Sequence, residues 1–337
     1  MKKEVLIAHG SGGEASQTLI KALFLKYFKS SILKKLTDSA VFETDTSSLA
    51  FTTDSFVVDP IFFQGGDIGK LAVCGTVNDI AVSGAVPKYL SLSFILEEGF
   101  PIKDLEKVVR SIAKEAEKAE VEIVTGDTKV VDKGKCDKVF INTAGIGFFP
   151  KSVANMGKMV NIRPGDVVII NGSIADHGMA VLSSRQDFDI ESDIQSDCAC
   201  LNHLIQKVLS QIEGVKFMRD PTRGGLATVL VEIASSTNLG VEIDEKSIPM
   251  KEDVESLCEL LGFDPLYIAN EGKFVMVVDK SIAEKVIGIL HNNKLGKDSS
   301  IIGKVTEKYN GKVVLNTAVG GKRIVDMLTG EQLPRIC

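Results

Sequence analysis

The sequence predicts an α+β protein with two domains, and three features support this prediction. At 337 residues, the chain is longer than one ordinary hydrophobic core organises. Strand and helix patterns are mixed in both halves, without the strict alternation that a parallel βαβ sheet requires. The pattern also restarts after a segment near 158–165, where Arg163-Pro164-Gly165-Asp166 predicts a turn.

The first half carries hydrophobic patterns of both periods. Apolar residues at helical spacing predict an amphipathic helix over 16–29. Residues 49–58 are interpreted as two short strands around an acidic turn at Asp54. The other elements expected in this half are a largely buried helix over 67–82, a strand over 88–96, a helix over 105–116, and strands over 121–125 and 138–148.

The second half begins with a predicted strand over 167–171. Neither half shows an internal repeat, so a solenoid or propeller is not expected. The remaining elements are helices near 177–184, 199–212, 222–236, 252–261 and 281–292, and strands near 241–243, 273–278, 300–305 and 312–316.

Composition and charge exclude several classes of protein. A chain with 44% hydrophobic and 25% charged residues is typical of globular proteins, so we do not expect disorder. The net charge of -6 argues against a nucleic-acid partner, which would need a basic face. No apolar run is long enough for a membrane span, and residues 1–15 lack the apolar core of a signal peptide. We therefore expect a cytoplasmic protein with no membrane contact.

The six cysteines do not form a recognisable metal or redox motif. None of them is spaced as CxxC, and Cys198 and Cys200 form a lone CxC that is interpreted as two ordinary thiols of a reducing compartment. Cys337 stands apart because it is the last residue of the chain. Chain ends are usually mobile and exposed, so a thiol at this position has no role in packing.

The common nucleotide-binding signatures are absent from the sequence. Residues 65–71 superficially resemble a P-loop, but the spacing is one residue short and Leu71 replaces the Ser or Thr that would hold Mg²⁺. No GxGxxG segment follows a predicted strand, which argues against a dinucleotide-dependent dehydrogenase. If ATP binds, it binds by another scheme.

Three aspartates next to small residues offer such a scheme. Asp54 and Asp127 follow or interrupt predicted strands, and Asp79 lies inside an apolar helix pattern. Mg²⁺ prefers oxygen ligands and is commonly held by one or two carboxylates together with substrate phosphates. Each aspartate alone is equally explained as a local cap or turn residue. Asp79 fits that explanation worst, because an unpaired carboxylate in an apolar helix is costly.

Two glycine-rich segments and one turn are further candidates. The loop 10–13 precedes a predicted helix, and segment 220–226 opens another one with Arg223. Such segments either bind phosphate through free N–H groups or are ordinary helix starts. Glu271 lies in a turn before the strand at 273–278, where it is either surface or aimed at a site, and His177 is interpreted as the neighbour of a helix cap.

In this order, the segments resemble one family over the whole chain, the HypE family of carbamoyl dehydratases that make cyanide ligands for [NiFe]-hydrogenases. The acidic and glycine-rich segments alone are shared with a superfamily that includes aminoimidazole ribonucleotide synthetase, selenophosphate synthetase and thiamine-phosphate kinase. The terminal PRIC is the specific part of the resemblance. The similar segments are HGSGG (9–13), TTDSFVVDPIFFQGGDIGKLAVCGTVNDIA (52–81), GDTKVV (126–131), DHGMAVLSSR (176–185), DPTRGGLA (220–227), NEGK (270–273) and PRIC (334–337).

The resemblance implies a fold like that of aminoimidazole ribonucleotide synthetase. Residues 1–155 would form an N-terminal α/β domain that binds ATP and closes a β-barrel with its copy in a homodimer. Residues 156–330 would form a C-terminal α+β domain. Residues 331–337 would form a mobile tail that carries Cys337.

The resemblance also implies the cofactors ATP and Mg²⁺, bound between the two domains. The metal ligands would be Asp54, Asp79 and Asp127, and the catalytic residues Cys337, Glu271 and Lys129. A partner carbamoyltransferase would load Cys337, and scaffold proteins would receive the cyanide. The implied nucleotide-binding residues are Gly10, Ser11, Gly12, Gly13, Asn78, Thr128, Asp220, Arg223 and Gly224.

The implied reaction explains why these residue types are needed. An S-carboxamide on Cys337 becomes a thiocyanate if its oxygen leaves as phosphate and its nitrogen loses protons. Glu271 is the candidate base, and Lys129 would neutralise charge on the phosphoryl group or orient the carboxamide. The alternatives are another kinase of the superfamily, such as a selenophosphate synthetase, or a non-catalytic thiol carrier. A selenophosphate synthetase has its reactive residue near the N-terminus, where residues 1–20 contain no cysteine.

Overall fold

The structure is a computed structural model that describes residues 13–19, 21–22, 33–37, 40–43, 48–150, 156–185, 192–330, 333 and 335–337. Two mixed β-sheets, each flanked by helices, form the body of the protein. The predicted α+β class is therefore confirmed. Of the predicted helix over 16–29, the described part is α1 (Glu14–Leu19) and the turn at 21–22, and its other positions lie outside the described residues.

The first sheet has five strands in the order β1-β2-β7-β5-β6. All neighbouring strands are antiparallel except β5 and β6, which are parallel. β6 is the last strand in this order and therefore lies at one edge of the sheet. The strands are β1 (Ala40–Glu43), β2 (Ser48–Phe56), β5 (Val86–Glu97), β6 (Glu122–Val131) and β7 (Val139–Phe148), and the short pair β3 (Phe62–Phe63) and β4 (Gly66–Asp67) forms a separate hairpin.

Two helices cover one face of this sheet. α2 (Ile68–Val82) starts at Asp67, whose side chain accepts hydrogen bonds from the N–H groups of Gly69 and Lys70 and so caps the helix. It is apolar on almost every side because it lies between the sheet and other helices. α3 (Ile102–Ala119) is amphipathic, with charge on its outer face, as the helical spacing predicts.

Two strands of this sheet differ from the prediction. β2 is one continuous strand, so the predicted acidic turn at Asp54 is wrong. Ala50, Thr52 and Phe56 are buried at period two, and Asp54 belongs to this inward-facing set. β6 runs to Val131 instead of ending at 125, because its pairing with β5 continues past the glycine at 126.

The second sheet has seven strands in the order β14-β13-β10-β12-β8-β11-β9. One of its inner strands is β8 (Val167–Ile170), which lies between β12 and β11 and is buried along its whole length. The other strands are β9 (Val215–Arg219), β10 (Gly240–Asp244), β11 (Val275–Val278), β12 (Ser300–Thr306), β13 (Val313–Asn316) and β14 (Lys322–Val325). The helices around it are α4 (Asp176–Ser183), α5 (Asn202–Gln211), α6 (Gly225–Thr237), α7 (Glu252–Leu261) and α8 (Ala283–His291).

Five short 3-10 helices complete the described elements: Leu33–Lys35, Met159–Asn161, Glu245–Ser247, Pro265–Tyr267 and Lys280–Ile282.

The prediction missed β9 and β14, because both lie at an edge of the sheet and carry charged residues that hide the strand pattern. Among the described residues, no helix combines the length and the apolar character needed to cross a membrane.

The segment 192–201 joins the two sheets. The side chain of Asn78 on α2 donates to the carbonyl oxygens of Ala199 and Glu271, at 3.0 and 3.2 Å. Its oxygen accepts from the N–H group of Leu201 at 2.8 Å. Asn78 therefore fixes the helix of the first sheet to the strand end of the second.

Candidate active site

A cavity of about 240 Å³ lies beside the last residue of the chain. It is lined by side chains from both halves of the protein, and most of them are polar. The lining residues are Thr52, Thr53, Asp54, Gly75, Asp79, Asp220, Thr222, Arg223, Glu271 and Cys337.

Hydrogen bonds hold the end of the chain against this cavity. The N–H group of Val57 donates to the carbonyl oxygen of Cys337, and the N–H group of Asp59 donates to that of Arg335, both at 3.1 Å. The Arg335 side chain donates to the carbonyl oxygen of Val57 and pairs with Asp137. The Cys337 side chain also packs on the apolar core of the first half. The sequence analysis expected an exposed terminal thiol, whereas the structure shows a docked one.

His177 holds the docked tail in place by a hydrogen bond to its backbone. Its Nε2 lies 2.9 Å from the carbonyl oxygen of Ile336, which can only accept, so this nitrogen carries the proton. Nδ1 then accepts from the hydroxyl of Ser196 at 2.8 Å. Burial lowers the pKa of His177, which favours the neutral ring that this arrangement needs. The interpretation of His177 as a cap neighbour missed this contact, because it depends on a residue 159 positions away.

Glu271 lies under the cavity in a buried turn before β11. Its N–H group donates to Asp197 Oδ1 at 3.1 Å, and Asp197 also pairs with Lys273 at 2.9 Å. This network fixes the backbone of Glu271, so the side chain is aimed at the cavity and is only 3% exposed. Burial, followed by the charges of neighbouring acids, raises the pKa of Glu271 well above its ordinary value.

Asp54 and Asp79 approach the cavity from the first half. Asp79 Oδ2 accepts from the hydroxyl of Thr52 at 2.8 Å, which joins α2 to β2. Burial raises the pKa of Asp54, although the nearby Arg223 opposes this shift. A Cβ atom at Gly75 would lie 3.0 Å from the ring of Phe56, so a small residue is needed where α2 passes β2.

Asp220 and Arg223 approach from the second half, where β9 ends and α6 begins. Gly224 caps α6 with φ of 79°, a left-handed conformation that glycine adopts without strain. Gly224 does not line the cavity. Its turn places Arg223 at the cavity, and a contact of Gly224 itself with nucleotide stays a prediction.

Burial dominates the chemistry of the terminal thiol. It raises the pKa of Cys337 to about 12, and the positive charge of Arg223 offsets only part of that effect. The thiol is therefore protonated in the docked position at neutral pH. A protonated thiol is a poor nucleophile, since the thiolate is the reactive form.

Three predicted site residues do not reach this cavity within one chain. Asp127, Thr128 and Lys129 lie on β6 and are exposed, and Lys129 Nζ is 2.8 Å from Asp127 Oδ2. β6 is three strands from β2, which at about 4.8 Å per strand is roughly 14 Å from Asp54. The expectation that three aspartates meet in one chain is therefore corrected to Asp54 and Asp79, joined by Asp220.

Of the remaining predicted residues, two are buried among other parts of the protein and three lie outside the described residues. Asn78 is buried in the junction between the sheets and does not line the cavity. Gly13 is buried, and a Cβ atom there would lie 2.3 Å from the carbonyl oxygen of Leu328. Gly10, Ser11 and Gly12 lie outside the described residues.

The sequence analysis missed the small and hydroxyl residues of the lining. Thr52, Thr53, Gly75 and Thr222 were part of the matching segments but were not assigned a role. Their positions follow from the alternation along β2 and from the start of α6. A strand prediction that ran through Asp54 would have placed Thr52 on its face.

Comparison with known proteins shows the family of the chain. The family described as AIR synthase related protein matches the chain twice, with its N-terminal domain at residues 36–149 and its C-terminal domain at 163–316. A carbamoyl dehydratase HypE from Rhodobacter capsulatus is 48% identical over 338 aligned residues, which cover 99% of this chain and 98% of that protein.

Solved structures give the same result. A structure described as a HypE–HypF complex has a TM-score of 0.86 and 48% identity, covering 92% of this chain and 99% of that one. A structure of the hydrogenase maturation protein HypE in complex with ATP has a TM-score of 0.82 and 47% identity, covering 99% of this chain and 100% of that one. The protein described here therefore belongs to the HypE family of carbamoyl dehydratases.

Proposed function

We propose that this chain uses ATP to dehydrate a carboxamide carried on its own Cys337, which yields a thiocyanate for hydrogenase maturation. The observation that supports this most strongly is the docked tail. The terminal thiol lies in one cavity with Glu271, Arg223 and a set of aspartates. A group carried by that sulfur would therefore meet both a proton acceptor and a phosphate-binding site without leaving the chain.

The residues of the cavity fit a magnesium nucleotide. Asp54, Asp79 and Asp220 supply carboxylate oxygens, the ligands that Mg²⁺ prefers. Burial raises the pKa of Asp54, and a bound cation would favour the ionised form that a metal ligand needs. A bound Mg²⁺ would neutralise the phosphates of ATP, and Arg223 would contact them from the start of α6. ATP is proposed here because a relative has been solved in complex with it.

The proposed reaction balances as follows. The carboxamide oxygen attacks the γ-phosphorus of ATP and ADP leaves, so the oxygen becomes part of a good leaving group. The C–O bond then breaks to release phosphate, and the nitrogen gives up its two protons as the C≡N bond forms. Glu271 is positioned to accept a proton from that nitrogen. Nothing is oxidised or reduced.

The raised pKa of Glu271 has a consequence for this step. A protonated carboxyl cannot act as a base, so the reaction requires the ionised form. Because the folded protein raises the pKa of Glu271, its ionised fraction still grows with pH above the range in which an ordinary glutamate is already ionised. We therefore expect the dehydration rate to increase with pH in that range.

Loading must take place with the tail undocked. In the cavity the pKa of Cys337 is about 12, so the thiolate is scarce, whereas an exposed thiol has a pKa of about 8.5. A partner carbamoyltransferase would therefore meet the tail outside the cavity. HypF, found in complex with a relative, is the proposed partner, and the scaffold proteins that receive cyanide would meet the same exposed tail. Release of Arg335, Ile336 and Cys337 from their docked position and a cytoplasmic location, where thiols stay reduced, are parts of this proposal.

The face of the first sheet that lies away from α2 and α3 supports the predicted homodimer. This open face carries Phe51, Tyr89, Ile95 and Phe148, each about 40% exposed. Tyr89 and Phe148 are in edge contact, with ring centroids 6.5 Å apart. Contiguous exposed aromatic residues mark an interaction surface, and an unpaired edge strand such as β6 is a template for pairing. A second copy placed there would close the implied barrel.

We propose that the second copy also explains the positions of Asp127 and Lys129. Both project from the open face at the β6 edge, and they would reach the cavity of the partner subunit instead of their own. Mixing the inactive Asp127→Asn chain with the inactive Glu271→Gln chain would then restore part of the activity, because one intact site forms in each mixed dimer. If mixing restores none while mixed dimers form, the two residues act within one chain.

One experiment separates this enzyme from a thiol carrier. The chain carbamoylated on Cys337 is mixed with ATP and Mg²⁺, and the released ADP is measured against an uncarbamoylated control. The proposal predicts one ADP per loaded chain and none from the control. ADP release that does not depend on Cys337 would indicate another kinase of the superfamily, and no release would leave only a carrier.

A further inference from the structure

A cluster of thiols lies behind the proposed active site and has no part in the reaction above. Sγ of Cys200 lies 3.3 Å from Sγ of Cys74. A carboxylate oxygen of Glu115 lies within 4.8 Å of both sulfurs. Cys198 packs in the same buried core as Cys74. We call Cys74, Cys198, Cys200 and Glu115 the thiol cluster.

The members of the thiol cluster come from three separate segments. Cys74 is on α2, Glu115 is on α3, and Cys198 and Cys200 belong to the segment 192–201 that joins the sheets. Glu115 lies on the inward face of an otherwise amphipathic helix and is only 6% exposed. Glutamates are rarely buried unless they have a partner. Lys118 donates to Glu115 at 2.7 Å, but the Lys118 side chain is itself half exposed, so it only partly explains the burial.

We propose that the thiol cluster binds a divalent transition-metal cation of the zinc class. Cys74, Cys200 and Glu115 supply three ligand atoms that all lie within 4.8 Å of one another, and three protein ligands with water in the fourth position suit a tetrahedral Zn²⁺ site. Zn–S bonds of about 2.3 Å place two tetrahedral sulfurs about 3.8 Å apart. The sulfurs of Cys74 and Cys200 need to separate by only about half an ångström to reach that geometry. Each ligating thiol releases its proton to solvent, and nothing is oxidised or reduced.

A cation has access to the thiol cluster through a larger cavity. This cavity, of about 730 Å³, is lined in part by Glu115, Cys198 and Cys200. Cys74 is fully buried behind them. A disulfide between Cys74 and Cys200 would leave the buried Glu115 without a function, whereas a cation uses Cys74, Cys200 and Glu115 together. The arrangement therefore favours a cation over a disulfide.

The proposed cation would affect the active site indirectly, through the junction between the two sheets. Ala199, between the two cysteines, has its carbonyl oxygen bound by Asn78, which also holds the carbonyl oxygen of Glu271. A cation held by Cys74, Glu115 and Cys200 would cross-link both helices of the first sheet to this junction. It would thus fix the backbone that aims Glu271 at the cavity.

The test uses the full-length protein, reduced and freed of metal, with Co²⁺ as the probe. We expect thiolate-to-cobalt charge-transfer absorption that saturates at one ion per chain, and displacement of Co²⁺ by Zn²⁺. Because Cys200 is partly exposed, Cys200→Ser is the variant most compatible with folding. It should remove the absorption and weaken Co²⁺ binding by more than the about 10–100-fold that loss of an outer-shell partner costs. Glu115→Gln should weaken binding without removing the sulfur signal.

Two matched variants serve as controls. Cys258→Ser changes a buried cysteine of a different core, and Cys337→Ser removes the terminal thiol, and both should bind Co²⁺ as the parent does. Zn²⁺ should also raise the melting temperature of the parent and of these controls, but not that of Cys200→Ser. The proposal is overturned if the reduced parent gives no charge-transfer absorption at saturating Co²⁺. Binding that survives Cys200→Ser, or that is lost in Cys337→Ser, overturns it as well.

Discussion

Glu271 and Cys337 owe their properties to burial in the same small cavity, where Arg223 faces both of them. The cavity favours the neutral form of each group, since a charge is poorly solvated there. The raised pKa of Glu271 makes it a strong base once ionised. The raised pKa of Cys337 keeps the docked sulfur protonated until it carries a substrate group.

Replacing Glu271 with Gln tests the proposed base. The variant keeps the size of the side chain but cannot accept a proton, so the rate of thiocyanate formation should fall by about 10²–10⁴. The increase of rate with pH should disappear as well, while ATP affinity stays close to that of the parent. The rate is measured on carbamoylated protein by quenched peptide mass spectrometry. A variant that works at the parent rate rules out Glu271 as the base.

Replacing Asp79 with Asn tests the proposed Mg²⁺ site. The change removes one anionic ligand but retains a hydrogen bond to Thr52, so the protein should fold and bind magnesium nucleotide more weakly. Titration calorimetry with ATP and Mg²⁺ gives the affinity. The control is Asp104→Asn, which removes an exposed partner of Lys107 on α3 and should leave the affinity unchanged. Equal affinities in all three proteins would exclude Asp79 from the site.

Among individual residues, the sequence predicted the charged side chains that line the cavity, but not the contacts made by the residues around it. Asp54, Asp79, Asp220, Arg223 and Glu271 were all named from their segments, and all five line the cavity. The contacts of His177 and the thiol cluster were not predicted. Both depend on residues far apart in sequence, which local patterns cannot bring together.

Among the elements, the docked tail is the part on which the proposed cycle depends. Arg335 donates to the carbonyl oxygen of Val57 at 3.1 Å and pairs with Asp137, which lies in the loop before β7. These contacts compete with the release of the tail. Because the Arg335 side chain is about one third exposed, we take the ion pair to be worth about 1 kcal/mol.

Replacing Arg335 with Ala should release the tail more often. We expect the rate of Cys337 alkylation near neutral pH to rise about fivefold, which corresponds to the loss of about 1 kcal/mol. Alkylation with iodoacetamide is followed by mass spectrometry of the C-terminal peptide. The control, Arg323→Ala, breaks a similar pair with Asp264 beside β14 and should not change the rate. Identical rates in both variants would show that Arg335 does not hold the tail.

The limits of prediction for the elements have a physical cause. Both long helices were predicted within a few residues, α3 from its clear amphipathic period and α2 from its long apolar run. β2 was divided in two because the charge of Asp54 was interpreted as a turn, although its side chain follows the alternation of the strand. β9 and β14 were missed because tertiary pairing at a sheet edge, not local sequence, stabilises them.

For the whole molecule, the open face of the first sheet predicts a homodimer. Replacing Ile95, which is 44% exposed on the open face, with Lys should weaken the dimer by placing charge in the proposed interface. The control is Val319→Lys, at a position 95% exposed in the turn after β13. Light scattering over a concentration series should give a dimer for the parent and the control, and more monomer for Ile95→Lys. Monomeric parent protein would contradict the prediction.

The central claim is that the protein dehydrates a group bound to its own last residue. The most direct test is the mass of the C-terminal peptide of the carbamoylated protein, measured before and after addition of ATP and Mg²⁺. The peptide should lose the mass of one water molecule, the change should be confined to Cys337, and it should not occur without ATP. An unchanged carboxamide on Cys337, or a cyano group found on another cysteine, would contradict it.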